Sequence, residues 1–369
     1  MYQSCKRAAA WLIAVALLSS SALADGTQAP RISAKCAIVL DCTGGRVLYE
    51  KDADTPMLIA STTKIMTALV AAENCNLDSR YQIPPEAAGI EGSSMYLQAG
   101  EIVTGRDLLY GMMLQSGNDA AVALAIFCAG DVPSFVRMMN EKAGKLGLQS
   151  ASFANPNGLD DDRNHASARD LAYLAKAALE NEIVAQAVAS KTANAAGRTL
   201  TNHNKLLWQY PDCVGVKTGY TKAAGRILVS AARRNGRLLV AVTISDPDDW
   251  ADHKALLDYG FSGFELQPVL KAGEHLADAF VVHGTAASVG LSASGSVSCT
   301  LLEGETPRTR LELPGLLLAP LKAGTPVGRA AVWVGDVCLG QTPLVLEGDI
   351  GYLDAPPSLW DRLRHCLGG

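Results

Sequence analysis

Apolar positions recur with two different periods along this chain, and the changes of period mark its parts. Cys36 to Leu40 is continuously apolar, Thr43-Gly44-Gly45 interrupts the run and Val47-Leu48-Tyr49 resumes it, which predicts a β-hairpin. From Ser61 the spacing turns helical, with Ile65, Met66, Leu69 and Val70 on one stripe and alanine filling between. Thr104-Gly105-Arg106-Asp107 has the form of a capping box and predicts a helix to Leu114. Asn118 opens another through Ala129, so Ser116-Gly117-Asn118 should be the loop between two helices. Helical spacing continues over 165–190 through Ala168, Leu171, Leu174, Ala175 and Ala178. Val214-Gly215-Val216 returns to strand, and Ile227-Leu228-Val229 and Leu238-Leu239-Val240 flank Asn235-Gly236, the strongest hairpin signal in the chain. Strand, helices and strand again imply one sheet whose central strands flank a long helical insertion.

Beyond Tyr259-Gly260-Phe261 the pattern becomes short alternating strands, such as Ala279 to Val282, Arg310 to Leu313 and Ala330 to Val334, broken by Gly and Pro. A small all-β domain is expected over 263–353, after a first domain over 25–262. At the start, Lys6 and Arg7 precede an apolar run from Ala8 to Leu18 and the small-residue ending Ala22-Leu23-Ala24. That is the form of a signal peptide, 1–24, cut before Asp25, with an uncleaved anchor as the alternative. At the end, Ala355-Pro356-Pro357 introduces a tail, 354–369, in which Leu359, Trp360, Leu363 and Leu367 share a helical face beside Arg362, Arg364 and His365. Such a stripe fits either a helix packed on the β domain or peripheral membrane contact.

The formal net charge of −5 becomes more negative once Lys6 and Arg7 leave with the leader, which argues against nucleic acid as a partner. Of the nine cysteines, Cys5 precedes the leader's apolar run. The other eight show no CxxC pair and no Cys/His cluster, so no metal and no cofactor are expected. For the closest pair, Cys36 and Cys42, buried thiols and a bridge both remain open, the thiols preferred.

Three short motifs carry the chemistry: Ser61-Thr62-Thr63-Lys64, Ser116-Gly117-Asn118 and Lys217-Thr218-Gly219. A serine hydroxyl is a poor nucleophile at neutral pH, and a lysine one helical turn later lies on its face as a base. Ser-x-x-Lys alone is weak, since a capping serine and a solvated lysine read the same way. All three motifs, once each and at junctions between elements, describe an active-site serine acyltransferase. The triplet, the run Gly219 to Arg226, Asp258-Tyr259-Gly260-Phe261 and Asn155-Pro156-Asn157-Gly158-Leu159 resemble the serine-type D-Ala-D-Ala carboxypeptidases, the low-molecular-mass penicillin-binding proteins.

The resemblance implies a β-lactamase/transpeptidase-like fold: an antiparallel five-stranded sheet flanked by helices, a helical subdomain, and a β-rich C-terminal domain. It implies that Ser61 attacks the penultimate D-Ala carbonyl of a peptidoglycan stem peptide, with Lys64 as base and Ser116 as proton relay. Asn118 would bond the substrate amide, and Lys217 and Thr218 would hold the terminal carboxylate. Gly219 would let the strand lie close to the substrate, and the N–H groups of Ser61 and Tyr220 would form the oxyanion hole. β-Lactam antibiotics would acylate Ser61, at the outer face of the cytoplasmic membrane or in the wall or periplasm. A serine β-lactamase would need a Glu-x-x-x-Asn loop, where this chain has Asn157-Gly158-Leu159-Asp160. A non-catalytic penicillin-binding module would be expected to carry a damaged triplet. His165 and His203 read as loop histidines, since Lys64 already supplies the base.

Overall fold

A computed structural model describes residues 28–302 and 304–353. The leader and the tail lie outside the described residues. The first hairpin pairs β1 (Cys36–Asp41) with β2 (Arg46–Lys51). Six main helices follow: α1 (Lys64–Asn74), α2 (Gly105–Leu114), α3 (Asn118–Ala129), α4 (Val132–Lys145), α5 (Ala168–Glu180) and α6 (Glu182–Ala189). The chain then returns as β3 (Cys213–Thr221), β4 (Gly225–Arg234) and β5 (Arg237–Ile244), and α7 (Asp249–Ser262) closes the unit. The five strands form an antiparallel sheet in the order β2-β1-β5-β4-β3, so the Lys217 motif lies on an edge strand.

Strands buried on both faces lose the polar half of the alternation, which is why β1 and β5 read as unbroken apolar runs. Ile38, Leu40, Val229 and Val242 join the core beneath α1 to α6, whereas Val39, Leu228, Leu239 and Ala241 pack on Leu256 and Leu257 of α7. The turn Asn235-Gly236 has both residues at positive φ, 50° and 81°, the geometry that matches strand twist in a two-residue hairpin.

Local chemistry sets the helix ends. Thr104 with Asp107, and Ser167 with Asp170, form complete capping boxes. The helical stretch expected over 165–190 is two helices, because the Asn181 side chain accepts hydrogen bonds from the N–H groups of Ile183 and Val184 and starts α6. Helix α4, capped by Asp131 with Pro133 in its first turn, and helix α7 were not distinguished by apolar spacing. Ser61 sits in a 3-10 turn, Ala60–Thr63, and the α-helix starts at Lys64.

The C-terminal strands are β6 (Leu266–Leu270), β7 (His275–Val282), β8 (Ser288–Ala293), β9 (Val297–Thr300), β10 (Arg308–Glu312), β11 (Leu317–Leu318), β12 (Pro326–Val334) and β13 (Val337–Leu346). They form a sheet β10-β12-β13-β8-β7-β11 and a pair β6-β9. A buried cluster joins the two sheet systems: Arg237 Nη2 lies 2.7 Å from Asp41 Oδ2, on which Thr300 Oγ1 also donates. Gly45, at φ 70°, lies so near the Leu339 carbonyl that a Cβ there would collide with it.

Cys36 and Cys42 are free thiols, as preferred. A bridge forms instead between Cys75, at the C-terminal end of α1, and Cys128, in the last turn of α3, with Cα atoms 5.5 Å apart. Closing a loop of this length removes denatured-state entropy worth about 2–4 kcal/mol.

Candidate active site

Two folding decisions bring the three motifs together. Ala60, at φ 44°, turns the chain so that Ser61 faces the cleft, and Ser116, at φ 60°, does the same between α2 and α3. Left-handed backbone at a non-glycine residue costs on the order of 1–3 kcal/mol and persists where packing over-determines it. Gly219 closes the arrangement: a Cβ there would lie 3.2 Å from Thr62 Cγ2 and 3.3 Å from the Ile59 carbonyl oxygen. Its lack of a side chain therefore lets β3 press against the turn that carries Ser61.

Lys64 is fully buried. Its Nζ donates to Ser61 Oγ at 2.9 Å, to Asn118 Oδ1 at 2.7 Å and to the Asn157 carbonyl. Burial, and then the charge of Lys217, hold its pKa well below the usual lysine value, with Asp119 opposing. Lys217 is also buried; its Nζ donates to Ser116 Oγ at 3.1 Å and to the Thr218 carbonyl at 2.8 Å. Burial brings its pKa down to about 7. Ser61 and Ser116 thus each carry a lysine amine whose proton is weakly held.

The Asn118 side chain is gripped on both ends, since its Nδ2 donates to the Glu91 carbonyl at 2.7 Å. Asp119, wholly buried, accepts from the N–H groups of Met95 and Leu97 and from Ser94 Oγ, and so fastens that loop over the cleft. Neither Asp119 nor Arg226 was singled out for a part in the site from sequence. Asx-type residues at helix starts are ordinary caps, and only the fold aims this one at a loop. The Asn155-to-Leu159 stretch forms the floor: Thr67 Oγ1 donates to the Pro156 carbonyl at 2.6 Å, and Asn155 Oδ1 accepts from Gly158 N–H at 2.7 Å. It presents a backbone carbonyl to Lys64, not a carboxylate to a water.

A cleft of ≈ 310 Å³ runs between the helices and the edge strand, lined by Ser61, Ser116, His203, Thr218, Tyr220 and Arg226 among others. His203 lines it with a pKa lowered by burial and by Lys217. His165 lies elsewhere, paired with Leu58 in a short strand, its Nδ1 2.9 Å from the Ser150 carbonyl oxygen.

Residues 24–248 match the family described as D-alanyl-D-alanine carboxypeptidase. The chain belongs to that family. Residues 264–352 match the C-terminal domain of penicillin-binding protein 5, which makes this a type-5-like, low-molecular-mass penicillin-binding protein. Among curated relatives, D-alanyl-D-alanine carboxypeptidase DacF of Bacillus subtilis is 31% identical over 361 residues, 92% of this chain and 93% of its own. DacC of Escherichia coli is 32% identical over 342 residues, 88% of this chain and 86% of its own. Among solved structures, penicillin-binding protein 5 from Haemophilus influenzae superposes with a TM-score of 0.72 at 31% identity, over 87% of this chain and 98% of that one. PBP3 from Streptococcus pneumoniae, a peptidoglycan synthesis regulatory factor, gives 0.78 at 26% identity, over 87% and 100%. The transpeptidase-like fold with its C-terminal β domain is as expected, and the chain is a serine-type D-Ala-D-Ala carboxypeptidase; neither the β-lactamase nor the non-catalytic reading is favoured.

Proposed function

We propose that this carboxypeptidase removes the terminal D-Ala of peptidoglycan stem pentapeptides through an ester on Ser61. Neutral Lys64 takes the Ser61 proton as Oγ attacks the penultimate carbonyl, and the developing oxyanion meets the N–H groups of Ser61 and Tyr220. Each such donor contributes on the order of 10²–10³ in rate. Ser116, held by Lys217, relays that proton from Lys64 to the departing amine, D-Ala leaves, and Lys64 is neutral again. Asn118 holds the substrate amide. Thr218 and Lys217 form the carboxylate end of the cleft, Lys217 from beneath. Water then cleaves the ester, with Lys64 again holding the proton. The observation that carries this reading is the buried contact of 2.9 Å between Lys64 Nζ and Ser61 Oγ, in a pocket that disfavours the charged amine. Release of D-Ala from a pentapeptide, measured beside uptake of a fluorescent penicillin, tests it; uptake without release would leave a penicillin-binding protein with another substrate.

The same reading places the mature chain outside the cytoplasm, with residues 1–24 as leader, 25–262 as catalytic domain, 263–353 as β domain and 354–369 as tail. The Cys75–Cys128 bridge supports export, because such bonds persist in oxidising compartments. The tail's apolar stripe beside Arg362 and Arg364 fits the surface of an anionic bilayer. Leaderless protein should sediment with anionic vesicles and lose most of that binding when 356–369 are deleted; equal binding by both forms would remove the tail from the account.

A further inference from the structure

The loop over residues 91–97 forms a rim of the cleft, and it is fastened at almost every residue. Asn118 Nδ2 donates to the Glu91 carbonyl at 2.7 Å, and the Asn118 N–H donates to the Ser93 carbonyl at 2.7 Å. Asp119 accepts from Ser94 Oγ at 2.6 Å and from the N–H groups of Met95 and Leu97 at 3.0 and 2.9 Å. The Tyr96 N–H donates to Ser94 Oγ at 2.8 Å, and the Tyr96 carbonyl accepts from Arg198 Nη2 at 2.9 Å. Arg198 is itself locked, with Nη1 on Glu101 at 2.6 Å and on the Ala196 carbonyl at 2.8 Å, and Nη2 on Glu101 at 2.9 Å.

Against this fixed backbone the side chain of Tyr96 stands apart. Met95 and Leu97 on either side are buried, whereas Tyr96 is 81% exposed, more than any other large apolar or aromatic side chain among the described residues. Its φ of 59° is left-handed, a conformation that a residue with a Cβ disfavours. Hydrogen bonds on both sides of the residue thus hold a tyrosine in a strained turn that keeps its ring in water. The place of that ring is bracketed. Ser93, three residues earlier, lines the cleft with Ser61 and Ser116, and the strand Arg198–Thr201 leads to His203, which lines it too. The rim is joined to Asn118, so it stands on the side along which the acyl half of a substrate runs when Asn118 holds its amide.

We infer that Tyr96 is a specificity-determining residue whose ring is the platform for the side chain of the residue preceding D-Ala-D-Ala. The chemistry it suits is a long aliphatic side chain ending in an amine. The methylenes pack along the ring and the ammonium lies over its face, where the ring quadrupole attracts it. A glycine at that place leaves the ring bare. Arg198 is the positioning residue, because it holds the rim backbone in the turn that presents the ring. This rests on the carboxypeptidase reading above.

The test uses three peptides of one length, ending in L-Lys-D-Ala-D-Ala, in the same sequence with its ε-amine acetylated, and in Gly-D-Ala-D-Ala. The parent should favour the free lysine over glycine by about threefold to tenfold in kcat/KM, the range for a cation–π contact at a partly exposed ring, mostly through KM, with the acetylated form between. Tyr96→Asn removes the ring with a residue that tolerates left-handed backbone. It should abolish the preference for lysine by slowing the lysine peptide to the rate of the glycine peptide. Tyr96→Phe should retain the preference. Arg198→Gln should raise KM for the lysine peptide with kcat nearly kept. If Tyr96→Asn keeps the parent's preference, if the parent shows none, or if the variant slows all three peptides and penicillin acylation alike, the platform is overturned while the carboxypeptidase reading stands. If the parent releases no D-Ala from any of the three peptides, that reading falls and the platform with it.

Discussion

Ser61→Ala should take up no penicillin and release no D-Ala. The hydroxyl it removes is the side-chain oxygen that Lys64 Nζ meets at the mouth of its pocket, while the other two acceptors, Asn118 Oδ1 and the Asn157 carbonyl, stay in place. The variant should therefore fold as the parent does, with a buried amine and nothing for it to activate. Loss of a nucleophile in an acyl-transfer site costs on the order of 10⁴-fold or more. Intact-protein mass after penicillin exposure gives the outcome directly. An adduct of undiminished stoichiometry in this variant would place the nucleophile elsewhere and end the reading of the site.

Lys64→Arg separates a base from a mere positive charge. An arginine retains the cation near Ser61 but does not deprotonate in a protein. Acylation by penicillin should fall by about 10²–10⁴-fold or more, the range for removal of a positioned base. Near-parental acylation would rule the base out. The pH profile of the parent provides a second readout. Because the Lys64 pKa is depressed, the neutral amine exists well below the usual lysine value, and the acylation rate should rise with pH along a limb far to the acid side of about 10.4. The sign for stability follows from the same shifts. Between the folded value of Lys217, about 7, and its ordinary 10.5, the unfolded chain binds the extra proton, so this lysine makes stability rise with pH across that window and fall as pH drops towards 7.

Much of this enzyme was legible before its coordinates. The Asn235-Gly236 hairpin, the Thr104–Asp107 capping box and the Ser116 loop are local devices, and local devices survive as sequence patterns. Helix α4 was not legible, because its buried positions, Phe135, Met139 and Ala143, make a thin stripe in a polar segment. The division at Asn181 was missed because an asparagine inside a helical pattern looks the same whether it caps or is solvated. At the site, the motifs named the residues but not what surrounds them. That Asn157 offers its carbonyl to Lys64, that Asp119 fastens a loop, and that Arg226 faces away from Lys217 are facts of register and packing between segments far apart in sequence. The bridging of Cys75 with Cys128 was invisible for the same reason, since their nearness depends on how α1 and α3 cross.

Helices α1 and α3 each present chemistry at the N-terminal end, Lys64 beside Ser61 on one and Asn118 on the other, and each ends near one half of the Cys75–Cys128 bridge. The two rods are therefore bonded at their far ends and meet through the Lys64–Asn118 hydrogen bond at their working ends. Cutting the sulfur link should loosen the grip on that amine before it unfolds the domain. With the link reduced, the chain would then be slack where Lys64 meets Ser61, and an oxidising surrounding would tension it.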